Sequence, residues 1–376
     1  MIKVVITDIP LRYFFYYQWL ILGLYELELK KEVQFSIKPK SLIDLFFLRN
    51  YKIYLGARKY FKLFKEEKNP DYLLKGFVLK NGRRQDFCYD IADTPYYFNV
   101  DYLDLDIIYF KAQCPIEIKA GGFELTPEIK IPYHPVVLKN KDKIQPSMLG
   151  PIASFDIYSY KLLLEGYNKL FVNNIQKSGK LMCYFGGNKG PTPEFSYNPD
   201  LYLNELHILG YFGKQLNHPN EKRGIAARQI AAMGNGYDSR IIKEFTEGVA
   251  APVINQQAFI PLADYTKHIS RFNYNLNISG FRKSIPFRFI YSFSVGTAII
   301  TDKLSVKWYL PFESEVVETV EMGYLPNTAV DWDAFNISLN NLPELNATEI
   351  LSAFQNKWAP KAFASYIVNT CINKLN

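Results

Sequence analysis

Cysteine is scarce. Cys88, Cys114, Cys183 and Cys371 are the only four in 376 residues, and no two form a C-x-x-C pair. Spacing this wide excludes a disulfide framework and a zinc ribbon as the basis of the fold. Long apolar runs are also missing. The longest, Tyr13 to Tyr25, is interrupted by Gln18 and Gly23. It falls short of the roughly 20 residues that cross a bilayer, and it reads as a buried first helix. No basic, apolar, small-residue leader opens the chain, because residues 1–7 already read as a strand. A cytoplasmic location is therefore the expectation, and the N-x-S/T triplets at Asn277, Asn336 and Asn346 read as chance matches. G-x-x-x-x-G-K-[ST], H-E-x-x-H and G-x-S-x-G do not occur. A P-loop ATPase, a zinc protease and a serine hydrolase would each lack their central motif. His134, His207, His218 and His268 have no metal-ligand spacing, so neither a metal site nor a cofactor is expected.

What is present describes an ordinary globular chain. Hydrophobic residues make up 48% and charged residues 22%, and the length suits two domains. The formal net charge of +7 fits an anionic partner such as a nucleotide diphosphate or an acidic membrane surface. The basic residues are spread out and form no nucleic-acid-binding motif, so nucleic acid is not the expected partner.

Strand and helix signals alternate in both halves. Lys3 to Thr7 reads as a strand running into a loop at Pro10, and Tyr13 to Lys30 as helix. Asp101 to Phe110 ends in a second apolar strand, followed by Lys111 and a Gln113-Cys114-Pro115 turn. Phe155 to Phe171 is helix-like and Asn173 to Gly179 resembles a linker. Beyond it come a strand at Leu181 to Phe185, an Ala-rich helix from Lys222 to Met233 stopped by Gly234, a helix at Ala263 to Ser270 and a strand at Tyr274 to Ile278. A helix from Pro286 to Val295 and a strand from Thr297 to Thr301 complete the series. Such alternation predicts parallel sheets with helices on both faces.

In open parallel sheets ligands bind outside the carboxyl ends of the strands. One predicted strand ends at Gly280, and the loop beyond it carries Arg282 and Lys283, with Arg288 on the first turn of the next helix. Helix N-termini favour anions and guanidinium groups offer phosphate two donors at once. Lys189, in Gly186-Gly187-Asn188-Lys189-Gly190, is another phosphate candidate, although a solvated turn lysine is its plain reading. Lys222 and Arg223 at the start of a helix oppose its dipole, which also suits an anion. Arg240 follows a turn, where it is either a ligand or a surface residue.

Residues 264–302 resemble the donor-binding half of glycosyltransferases of the GT-B fold, including the group-1-like families. Gly296-Thr297-Ala298-Ile299-Ile300-Thr301-Asp302 matches the end of their pattern, with Asp302 as its loop acid. The resemblance implies that Asn188, Lys189 and Gly280 stand in loops facing the donor, and that Ala353 to Leu375 is a final helix crossing back to the first domain. Retaining members carry paired glutamates where this chain has Lys283 and Tyr291, which implies an inverting enzyme. Inversion needs a base on the acceptor hydroxyl. The first-half candidates are Asp93, Asp90, Glu124 and His134. Asp93 ranks first, because Thr94-Pro95 forces a loop there and the neighbouring aromatics could floor a sugar site. Asp104-Leu105-Asp106 has the letters of a metal motif but falls inside a predicted strand.

The expectation is an α/β chain of two Rossmann-like domains facing a cleft, spanning 1–175 and 176–355, with the returning helix at 356–376. Its expected activity is metal-independent transfer of a sugar from a nucleotide sugar to a glycan or lipid-linked acceptor, in surface polysaccharide or lipopolysaccharide assembly. Peripheral contact with the inner face of a membrane goes with such an acceptor. The alternative is a binding module that kept this fold without the chemistry.

Overall fold

The computed structural model describes residues 1–10, 13–38, 46, 72–124, 130–151, 157–171, 175–185, 218–242, 256–257, 262–279, 283–320 and 330–375. Among them are two larger sheets of six strands each. The first contains β1 (Ile2–Asp8), β2 (Val33–Ile37), β3 (Leu73–Lys80), β4 (Arg83–Asp90), β5 (Ile107–Lys111) and β6 (Ile144–Pro146). Their order is β2-β1-β3-β4-β5-β6. β3 runs against both neighbours while the others run parallel. The expected all-parallel arrangement is thus broken by one hairpin. Asn81 and Gly82 at its turn have φ of 52° and 79°, the doubly positive geometry that follows the twist of paired strands and that Asn-Gly adopts with little strain.

The second sheet contains β7 (Gly179–Phe185), β8 (Tyr237–Ile242), β9 (Gln256–Gln257), β10 (Phe272–Asn277), β11 (Ala298–Thr301) and β12 (Val316–Glu318). All its described pairs are parallel, in the order β9-β8-β7-β10-β11-β12. This is the doubly wound order. It reverses between β7 and β10, opening a crevice outside their carboxyl ends. Every residue of β11 is buried, as a central parallel strand covered on both faces requires.

Helix α1 (Gln18–Leu29) follows a 3-10 turn at Phe14–Tyr17. It is buried nearly all round, because the first sheet covers one side and the last helix, α5 (Pro360–Leu375), covers another. Burial of Trp19, Leu20, Ile21, Leu22, Leu24 and Leu27 contributes about 1.5–3 kcal/mol for each side chain. Gly23 permits the contact, since a Cβ there would collide with the Pro360 carbonyl and Ala364. The Trp19 indole N–H donates to Trp358 O at 2.9 Å. Phe363 packs on Tyr89 and Tyr366 on Phe110, with ring centroids 5.6 and 5.8 Å apart. The chain's last helix therefore lies on the first sheet, as the resemblance implied. It is not continuous from Ala353. A π-helical stretch, Phe354–Trp358, ends at the extended Ala359, because the residue before a proline avoids helical geometry and Pro360 suits a first turn.

Helices α2 (His218–Ala232), α3 (Leu262–Ile269) and α4 (Arg288–Phe293) flank the second sheet. α4 is shorter than the span from Pro286 to Val295. Asp104 and Asp106 lie in a turn before β5, not within a strand. The four cysteines are buried and form no disulfide. No described helix is long and apolar enough to cross a membrane.

Candidate active site

The carboxyl ends of the two sheets meet around a cavity of about 430 Å³. Tyr13, Tyr16, Tyr72, Asp93 and Thr94 line it from the first half, and Arg223, Asn277, Ser279, Phe287 and Arg288 from the second. β1 delivers the chain into the first of these walls. The Tyr17 hydroxyl donates to Tyr72 O at 2.6 Å, and the Tyr13 ring lies 4.6 Å from that of Tyr72. Tyr16 is half-buried beside them. Burial raises its pKa, and the nearby Asp93 carboxylate and Tyr13 raise it further.

β4 delivers Asp93, which is exposed to the cavity. The loop that carries it is fastened from below by Asp90. One Asp90 oxygen accepts the Ala92 N–H at 2.7 Å. The other accepts from the Tyr109 hydroxyl at 2.6 Å and from Lys111 Nζ at 3.0 Å. The Tyr109 hydroxyl in turn accepts the Asn99 N–H at 3.0 Å, so both ends of the loop are tied to one cluster. Burial, then the Asp90 charge, drives the Tyr109 pKa far up. Asp90 itself is buried, with its carboxylate turned to these donors.

On the second wall, β10 ends at Asn277. Asp302 Oδ1 accepts the Ser279 N–H at 2.9 Å and the Thr301 hydroxyl at 3.2 Å. Asp302 thus shapes the turn beyond β10 from a buried position. Arg223, on α2, donates to Ile278 O at 3.2 Å and reaches the cavity, with Lys222 buried next to it. Arg288 opens α4. Burial lowers its pKa and Tyr265 opposes that shift, yet a guanidinium stays charged near neutral pH. No described carboxylate pairs with it. Phe287 and Tyr265 stand 5.6 and 6.2 Å from Tyr291, giving the wall an aromatic surround. A partly desolvated cation with no described counter-ion favours an anionic ligand.

Of the residues proposed from sequence, Asp93, Arg223 and Arg288 come together at the cavity. Asp90 and Asp302 lie beneath it. Glu124 is exposed on a two-residue strand and pairs with Lys130, and His134 is an exposed cap whose Nδ1 accepts the Val136 N–H at 3.2 Å. Neither lines the cavity. Arg240 has a described backbone on β8, opposite Tyr184. Asn188, Lys189, Gly280 and Arg282 fall outside the described residues. Tyr13, Tyr16, Asn277 and Ser279 were not singled out from sequence. Their common signal is position just beyond a strand's carboxyl end, or at it. Tyr72 precedes the antiparallel β3 and has no such signal.

Asp104 stands at the other end of β5. Its carboxylate accepts from Asn140 at 3.2 Å and Lys139 at 3.4 Å, which together hold its pKa down, Asn140 most strongly. Among the described residues no group of three His, Cys, Asp or Glu side chains gathers.

No family model and no curated protein sequence matches this chain. Similar solved structures include a GtfA/B complex, at 9% identity and a TM-score of 0.36, covering 80% of this chain and 65% of that one. The match thus spans under two thirds of the GtfA/B chain. A putative UDP-N-acetylglucosamine 2-epimerase from Listeria monocytogenes has 9% identity, a TM-score of 0.33 and coverage of 99% and 94%. A TarM variant from S. aureus, solved with fondaparinux, α-GlcNAc-glycerol and UDP, has 8% identity, a TM-score of 0.31 and coverage of 100% and 97%. At these scores the likeness carries no functional weight, and the fold rests on its own strand orders. What the chain shows by itself is two α/β halves with carboxyl edges at a common cavity and a last helix packed on the first sheet.

Proposed function

We propose that the protein is a glycosyltransferase that binds a nucleotide sugar in the cavity between its two sheets. The observation that carries this reading is Arg288, a half-buried cation unpaired by any described carboxylate, lining the cavity with Asp93 on its other wall. Arg288 and Arg223 hold the donor's diphosphate. Asp93 accepts the proton of the acceptor hydroxyl as its oxygen attacks the anomeric carbon. The bond from that carbon to the diphosphate breaks, and the departing charge is neutralised at Arg288. With Asp93 on the acceptor side, the reaction inverts the anomeric centre. Basic side chains take the place of a cation, so the reaction needs no metal. The acceptor is a glycan or a lipid-linked glycan of a surface polymer, bound against Tyr13, Tyr16 and Tyr72. UDP-, GDP- and dTDP-sugars, assayed for donor turnover with glycan acceptors, test the reading. Release of one nucleotide with formation of a β-linked product from an α-donor supports it. Absence of both binding and turnover with all three donors would refute it.

A further inference from the structure

Gln113 is buried in the segment that follows β5, and its amide reaches the other half of the chain. Nε2 donates to Ile285 O at 2.9 Å, and the Ile285 N–H donates to Oε1, also at 2.9 Å. A side chain here satisfies one residue's N–H and C=O together, as a neighbouring strand would. With the amide reversed, two donors and two acceptors would face each other, so the pair fixes its orientation. Ile285 stands three residues before Arg288, and Ser284, Pro286 and Phe287 between and beside them line the cavity. Upstream of Gln113, Lys111 and Tyr109 grip Asp90, which holds the loop of Asp93. Residues 109–113 therefore fasten both walls of the cavity. Beyond them Cys114–Pro115 pairs antiparallel with Val306–Lys307 and continues the seam.

We propose that Gln113 is a positioning residue that holds Arg288 at the cavity from the opposite half of the chain, so that anion affinity depends on its two bonds to Ile285. This rests on Arg288 as the diphosphate ligand. Two substitutions separate positioning from bulk stability. Gln113→Leu keeps the approximate volume and leaves the buried Ile285 N–H and C=O unpaired. Gln113→Glu reproduces both bonds while its acid is neutral, with O–H donating to Ile285 O. Once ionised it has no donor and faces that carbonyl.

The experiment is calorimetric titration of inorganic pyrophosphate into the wild type, Arg288→Ala, Gln113→Leu and Gln113→Glu, at mildly acidic and mildly alkaline pH. The wild type should bind, and Arg288→Ala should bind about tenfold more weakly or worse. Gln113→Leu should lose about fivefold, the equivalent of one neutral hydrogen bond. Relative to the wild type at each pH, Gln113→Glu should bind normally in acid and as weakly as Gln113→Leu in alkali. Should Gln113→Leu fail to fold, the pH contrast in Gln113→Glu decides. If Arg288→Ala weakens binding while Gln113→Glu follows the wild type at both pH values, the inference falls and the diphosphate reading stands. If the wild type does not bind, or Arg288→Ala binds equally well, both fall together.

Discussion

Lys111 Nζ lies 3.0 Å from Asp90 Oδ2, with both side chains sealed from solvent. A buried pair of this kind adds little net stability, but removing one partner strands the other charge, at a cost of about 3–5 kcal/mol. Lys111→Met is expected to lower stability by that order, and the double variant with Asp90→Asn to recover part of the loss. Urea unfolding of the wild type and the two variants checks this. Single and double variants of equal stability would contradict it.

The first and last helices meet at Gly23, where a side chain would strike the Pro360 carbonyl. Gly23→Ala must push α5 off α1 and disturb the bond from Trp19 to Trp358. A destabilisation of about 1–3 kcal/mol is expected from such overpacking. It should appear in denaturant melts as a lower midpoint.

Lys177 donates to Phe272 O, Val295 O and Thr297 Oγ1 at 2.9, 3.0 and 2.8 Å. No described carboxylate pairs with it, and desolvation lowers its pKa from 10.5 to about 7. Below pH 7 both folded and unfolded chains carry its proton, so the cost of burying the charge is fully felt. Between about 7 and 10.5 the unfolded chain binds more protons than the folded one, so this group's contribution to stability rises with pH. Lys177→Met should remove that rise. The comparison is of unfolding free energies for the two proteins across this range, and parallel profiles would count against it.

The second half was largely legible in the sequence, because its strands are short apolar runs closed by glycine or acid. Leu181 to Phe185, Tyr274 to Ile278 and Thr297 to Thr301 all fall on observed strands, within a residue or two at their ends. The β3–β4 hairpin was not read, although Asn81-Gly82 is a strong turn signal. Arg83 to Asp90 begins with two exposed arginines and then lacks a clean alternation of buried and exposed residues, so its strand character shows only in its pairing with β3 and β5. The site divides the same way. Arg288 was legible as a cation after a strand and a loop. Tyr16 was hidden inside an apolar run that reads as core, and Asp90 resembles Asp93 until the buried Lys111 separates their roles. Gln113 reads only as a turn residue, because its partner Ile285 is brought to it by the fold.

Asp93→Asn keeps the side chain's size but removes its basicity. A positioned general base contributes about 10²–10⁴-fold to rate, so turnover should fall by that order while donor affinity stays nearly unchanged. Steady-state kinetics with NMR of the product anomer test both the base and inversion. Wild-type turnover in this variant would reassign the base.

On the proposal that Arg288 and Arg223 take the place of a cation, activity should survive EDTA. Complete loss with chelator, restored by Mg²⁺ or Mn²⁺, would require carboxylate ligands that this account does not assign.

The central claim is that Arg288 binds the diphosphate of a nucleotide sugar. Calorimetry of wild type and Arg288→Ala with the nucleotide that supports turnover tests it most directly. The account predicts saturable binding by the wild type and affinity at least about tenfold weaker in the variant, since a charge-assisted hydrogen bond contributes about 1.5–3 kcal/mol. Equal affinity in a folded Arg288→Ala protein would contradict it.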